Sequence, residues 1–361
     1  MKHLGKKLSA LLVTAAMAAT MAATAGAATT YSPVTGTSTS FKKYLVLDSN
    51  ATVPNVTFTY TLVPGTAKDA DETHMAVLAG VGAPSVSNTD ATFTTNAQTY
   101  STQQTGDASV TLTGTQKYAK QTVNIDFSSV TFNEPGVYRY TLTEVNGGKT
   151  GITYDTAAYT LDVYVTDNGS GVLAVSSYVL HTGTDAPAKN ATSGSADVEA
   201  AGDALATKID GIQNTYASQN LYVGKLVTGN QGSRDKYFAV TVTVTKLNQS
   251  DVLNVQLGTT AEGIPNGNAD TVSGTTAATI SGNQNQSNPT SLTADSDGKA
   301  TGTFYLQSGQ YVAICGLPQG AHYKVEENNE DYTSTAGAAI TVVGLDGNDH
   351  LLNTEDRKSV V

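Results

Sequence analysis

A lysine in an alternating apolar run, a glutamate closing a second such run and an asparagine in a third occur together twice in this chain. The copies are Lys43, Glu144 and Asn214, and Lys225, Glu327 and Asn353. Lysine and glutamate stand 101 residues apart in the first copy and 102 in the second, and each glutamate follows a proline, Pro135 or Pro318, by nine residues. A chain that repeats two charges at matching places in apolar strands must repeat the surroundings that hold them. It is therefore read as two tandem copies of one domain type.

The places themselves follow from period two, because residues i and i+2 of a strand share a face. Phe41, Lys43, Leu45 and Leu47 form one set, and Leu221, Val223, Lys225 and Val227 another. Tyr140, Leu142 and Glu144, then Tyr323, Val325 and Glu327, put each glutamate on the face its apolar neighbours bury; Ile212, Asn214 and Tyr216 do so for the first asparagine. The same phase selects Lys43 over Lys42 and Glu327 over Glu326. A lone charge on such a face is costly, so it must be neutralised or paired. Desolvation lowers the pKa of a lysine and raises that of a glutamate, which favours a neutral amine beside a protonated acid. Such an amine can attack the asparagine side-chain carbonyl while the acid polarises the amide and shuttles protons, with ammonia leaving. The product is a Lys–Asn isopeptide crosslink. Any one of these residues alone reads as an ordinary solvated strand residue; the duplication favours the reactive set.

These stretches also carry a family resemblance. Phe41-Lys42-Lys43-Tyr44-Leu45, Phe132-Asn133-Glu134-Pro135-Gly136-Val137-Tyr138-Arg139-Tyr140 leading to Glu144, Gly151-Ile152-Thr153-Tyr154-Asp155-Thr156 and Ile212-Gln213-Asn214-Thr215-Tyr216 resemble a Gram-positive major pilin of the streptococcal isopeptide-linkage type. In the second half Val223-Gly224-Lys225-Leu226-Val227-Thr228-Gly229-Asn230, Gly316-Leu317-Pro318-Gln319-Gly320 and Leu352-Asn353-Thr354 do the same. The resemblance spans roughly residues 40–354. It implies spontaneous Lys43–Asn214 and Lys225–Asn353 bonds, with Glu144 and Glu327 as the catalytic carboxyls. It also implies a shaft subunit that joins other pilin subunits through a sortase, with Lys208 as the linking-lysine candidate and Lys189 as its alternative. The remaining reading is a non-polymerising surface stalk or an adhesin that grips a host glycan or protein. In the shaft reading a host receptor would instead belong to an associated adhesin.

The rest of the chain bounds this picture. Residues 1–27 pair a basic start (Lys2, Lys6, Lys7) with an apolar run and Ala25-Gly26-Ala27, the pattern of a secretory signal peptide. The product is expected outside the cell, in the wall or a pilus if a sorting signal follows. Residues 356–361 read as a non-native tail that displaces the true C-terminus. With one cysteine, Cys315, an exported chain can form no internal disulfide, so its covalent stability would come from the isopeptide bonds. Cys315 is expected to be a half-buried strand thiol. A net charge of −11, with charged residues only 14% of the chain, argues against nucleic-acid or anionic-membrane partners. No phosphate loop, nucleophile elbow or metal spacing is present, so neither cofactor, metal nor small-molecule substrate is expected and no turnover enzyme. Asp295-Ser296-Asp297-Gly298 reads as a hairpin turn rather than a calcium loop, and His74, His181, His322 and His350 as solvated or structural.

Short alternating runs between Gly, Asn, Asp and Pro clusters predict all-β architecture: two tandem Ig-like, CnaB-type β-sandwiches over 38–216 and 217–355, with a very short linker. Residues 185–205 and 261–292 read as exposed loops, the former with a short helix near 200–206 as its alternative.

Overall fold

In the computed structural model, the described residues are 30–188, 208–227, 233–259 and 287–327, together with the backbone of 341–343 and 349–351. The expected signal peptide, Lys189, the helix near 200–206, residues 260–286, Asn353 and the tail 356–361 lie outside them. Apart from a 3-10 turn at Asn88–Ala91, the regular elements described are strands, so the fold is all-β.

The first domain is built from β1 (Ser38–Asp48), β2 (Thr59–Pro64), β3 (Gln116–Asp126), β4 (Gly136–Val145), β5 (Ile152–Thr153), β6 (Ala158–Asp167), β7 (Leu173–His181) and β8 (Gly211–Tyr216). One sheet runs β7-β6-β4-β2 and the other β5-β8-β1-β3. All these pairings are antiparallel except β8 with β1, the last strand beside the first, which is parallel. Alternating side chains from the two sheets meet in one core that includes Phe41, Leu45, Phe58, Tyr140, Leu142, Leu161, Ile212 and Tyr216.

The second domain has β9 (Ser218–Lys225), β10 (Phe238–Thr245), β11 (Val252–Thr259), β12 (Ser291–Thr293), β13 (Ala300–Leu306), β14 (Gln310–Pro318) and β15 (His322–Glu327). Here the sheets are β9-β14-β11-β12 and β13-β10-β15, closing over a separate core of Val240, Val242, Leu257, Phe304, Val312 and Ile314 among others. Two expectations change. Residues 291–292 are strand rather than loop, because β12 pairs with β11 and Asn288 is held by hydrogen bonds to the Tyr305 backbone. Cys315 is fully rather than half buried: Tyr311 and Tyr222 cover the outer face of β14 as well, and burial pushes its thiol up to about 11.

Between the domains stands one residue, Ala217, whose N–H donates to Gly151 O (2.8 Å) and whose carbonyl accepts from Gln319 N (2.9 Å). The turn before β11 docks on the first domain. Asn55 N donates to Asp251 Oδ1 (3.2 Å), Asn55 Nδ2 to Ser250 O (2.8 Å), and Asn248 exchanges hydrogen bonds with the Thr150 backbone. The Asp295–Gly298 stretch is a hairpin turn closed by Asp297 and Lys299 N–H groups on Asp295 Oδ1, with Gly298 at φ +71° where a side chain would be strained.

Candidate functional site

Lys43 lies on the core-facing side of β1, and Glu144 near the end of β4 in the opposite sheet. The two side chains meet across the sandwich with no exposed area, Lys43 Nζ on Glu144 Oε2. Asn214, 2% exposed, sits on β8 two residues beyond Ile212, which is the register partner of Lys43; its Nδ2 donates to Glu144 Oε1. One carboxylate thus bridges the amine and the amide. The close approach of β8 to β1 requires Gly211, because a Cβ there would lie 2.3 Å from Lys42 O and 2.6 Å from the Tyr44 ring.

The surroundings are aromatic. The Phe58 ring lies 4.3 Å from Lys43 Nζ, packed edge-on against Phe93 and Tyr154, and the Tyr60 ring lies at 5.7 Å. Tyr60 O–H donates to Glu144 Oε2 at 3.1 Å. Desolvation, opposed by the attraction of Glu144, brings Lys43 down to about 8. Roughly a tenth of such an amine is neutral at pH 7. Asn214 Oδ1 is buried without a hydrogen-bond partner, which costs about 1–3 kcal/mol in a packed interior. A buried ion pair is itself a weak source of net stability compared with apolar packing. Charge, orphaned carbonyl and dry aromatic walls together thus add little net stability.

Lys42, one residue away, points to the other side of the sheet. There it pairs with Asp107 (2.8 Å) and approaches Asp210 (3.5 Å), while Lys120 and Tyr118 also bind Asp107. Burial works to raise the Asp107 pKa, but hydrogen bonds from Lys120, Lys42 and Tyr118 hold it below the ordinary carboxylate value.

In the second domain Lys225, at the end of β9, lies 2.7 Å from Glu327 Oε1 at the end of β15, the pair again joining opposite sheets. Their side chains are 7% and 2% exposed, and Phe238 lies 4.1 Å from Lys225 Nζ as Phe58 does from Lys43. Asn353 falls outside the described residues. Lys208 is exposed just before β8, in a backbone bridge with His181.

Sequence reasoning missed Phe58, Tyr60 and Phe238. The signal for the first pair was their period-two spacing into β2. It also missed a buried cluster of Arg139, Asp162 and His181, in which Arg139 forks onto both Asp162 oxygens (2.8 and 2.7 Å) and also binds the carbonyls of Thr184 and Asp185. Among the described residues no group of His, Cys, Asp and Glu is placed to hold a metal ion, and no helix is long and apolar enough to cross a membrane.

Residues 39–192 match the family model described as a Spy0128-like isopeptide containing domain. A pilin from Streptococcus pyogenes serotype M1 is 30% identical over 247 residues, covering 67% of this chain and 59% of that protein. The chain is a relative of the pilins. It spans about three-fifths of the length of that curated relative. Residues 219–355 match a second model, described as a domain of unknown function (DUF7601). Among solved structures, the major pilin from Streptococcus pyogenes is similar at 23% identity and a TM-score of 0.45, with 82% of this chain and 83% of that chain covered. The major pilin protein (T3.2) of Streptococcus pyogenes serotype GAS13637 is similar at 20% identity and a TM-score of 0.47, with 84% and 86% covered. Within this pilin relative, Lys43, Glu144 and Asn214 all fall on the first domain, although Asn214 lies beyond the matched residues 39–192.

Proposed function

We propose that this chain is a shaft subunit of a surface pilus, each domain of which closes itself once with a Lys–Asn isopeptide bond. The observation that carries the reading is the single buried Glu144 carboxylate in contact with both the Lys43 amine and the Asn214 amide. In the one-proton state of the pair, Lys43 gives its proton to Glu144 and attacks Cγ of Asn214. The carboxyl returns a proton to the departing nitrogen, ammonia leaves, and the first and last strands of the sheet are joined. Lys225, Glu327 and Asn353 take the same roles in the second domain. The chemistry is a single turnover on the chain itself, without an external substrate.

Joining β1 to β8, with one hydrogen-bonded residue before β9, would pass tension from domain to domain through covalent bonds. That suits a fibre. Lys208, exposed and held beside β7 by its bridge to His181, is the proposed sortase-linking lysine, and partial desolvation lowers its pKa. Secretion and attachment to the wall or pilus belong to the same proposal.

Intact mass of the secreted chain, with mapping of the Lys43/Asn214 and Lys225/Asn353 peptides, tests the crosslinks. Loss of two ammonia molecules with both peptide pairs linked is the expected result; the full unlinked mass would overturn the reading.

A further inference from the structure

Among the described residues the two sites match step by step until one hydroxyl. In each domain a phenylalanine, Phe58 or Phe238, lies under the lysine. Two residues further along the same segment comes the register partner of the glutamate: Tyr60 opposite Glu144, but Val240 opposite Glu327. Tyr60 O–H donates to Glu144 Oε2, the oxygen that Lys43 also holds, while Oε1 faces Asn214. Valine has nothing to donate.

We propose that Tyr60 is a positioning residue for the Lys43–Asn214 reaction, turning the Glu144 carboxyl so that Oε2 receives from the amine and Oε1 delivers to the amide. This rests on the crosslink reading above and goes one step further into it. A carboxyl oxygen has two lone-pair directions. Lys43 and Tyr60 both donate to Oε2, whereas Oε1 takes Asn214 Nδ2 and only a longer contact from Asp155 N (3.4 Å), so the carboxyl proton is favoured on Oε1, against the amide. The step then balances: Nζ bonds to Cγ of Asn214, an Nζ proton passes to Oε2, the Oε1 proton passes to Nδ2, the Cγ–Nδ2 bond breaks and ammonia departs. The carboxyl ends with one proton, as it began. Burial, then the charge of Glu144, push the Tyr60 phenol well above its ordinary value, so it stays a donor throughout. Its ring, edge-on to Phe41 at 5.0 Å, fixes where the hydroxyl points.

The test is Tyr60→Phe, which keeps the ring and removes the oxygen. Denatured, uncrosslinked full chain is diluted into buffers from pH 5 to 10, and linkage at Lys43/Asn214 is followed by peptide mass spectrometry, with Lys225/Asn353 in the same molecule as an internal clock. The expected result is first-domain linkage about tenfold slower against the clock. The high-pH limb of its profile, set by Lys43 among Glu144 and Asp155, should stay near 8. A variant that reacts at the wild-type rate overturns the proposal. So does a limb that moves toward the ordinary lysine value, because the hydroxyl would then act on the titration of the amine rather than on the orientation of the carboxyl. Tyr60→Leu, which removes ring and hydroxyl together, should move the limb and thereby separate the two roles. A wild-type chain that never links Lys43 to Asn214 would instead sink the crosslink reading itself.

Discussion

In their described residues the two domains build the same buried pair and differ beside it. Both put a lysine and a glutamate on opposite sheets, bury the pair and lay a phenylalanine under the amine. In the first domain the carboxylate is held by Lys43, Tyr60 and Asn214; in the second, the register partner of the glutamate is an aliphatic Val240. The shared part is what desolvation and pairing demand, and the tyrosine is an addition to it. On the proposed reading, burying the pair and orienting it are separable tasks, and the second domain serves as an internal control for the first.

The comparison breaks most sharply at the carboxyls. Glu144→Gln should remove the Lys43–Asn214 linkage and leave the other intact, and Glu327→Gln should do the reverse, each read by peptide mass. The first variant loses a crosslink around some 170 residues, worth about 5 kcal/mol by loop closure. It also leaves Lys43 buried without its partner, a further cost of about 3–5 kcal/mol, so the melting transition of the first domain should fall well below that of the second.

Gly211→Val attacks the geometry instead. A side chain there collides with the Lys42 carbonyl and the Tyr44 ring, so β8 should lose the register that delivers Asn214. First-domain linkage should fall to a small fraction while second-domain linkage proceeds unchanged in the same molecules.

Acidity sharpens the contrast more gently. The reactive pair shares one proton, which is lost as the pH rises through the Lys43 value of about 8, so first-domain linkage should slow above that pH. A rise there would mean that Glu144 acts only as a base. In an Asn214→Ala chain, which cannot link, the unfolded state binds more protons between about 8 and the ordinary lysine value of 10.5. Stability of that domain should then increase with pH across this window, measured by denaturant titration. The smallest effect belongs to the joint: Asn248→Ala removes hydrogen bonds to Thr150 and Asp251, costing about 1 kcal/mol and quickening proteolysis between the domains without touching either linkage.

Much of this is legible in the residues themselves. Phase alone puts Lys43 toward the core and Lys42 away from it, and the observed faces follow that alternation. Other parts are not. The strand Val252–Thr259 does carry the period, Leu253, Val255 and Leu257 alternating with Asn254, Gln256 and Gly258, but nothing local shows that Gly258 is needed because the Tyr311 ring occupies the space a side chain would take. The outer face of β1 is buried by Val110 and neighbouring rings, from a Ser-, Thr- and Gly-rich stretch with no strand period to announce it. The Arg139–Asp162–His181 cluster joins residues up to 42 apart in sequence and has no local signature.

What the sequence determined by itself was the set of charges that period two would bury, their duplication, and an all-β chain to hold them, since these depend only on neighbours two residues apart. Which oxygen meets which partner, that Tyr60 stands opposite Glu144 where Val240 stands opposite Glu327, and how dry each lysine is were decided only by the tertiary structure. Those depend on register between strands far apart in the chain and on packing between two sheets, where a slip of one residue would send every one of these side chains to the other face.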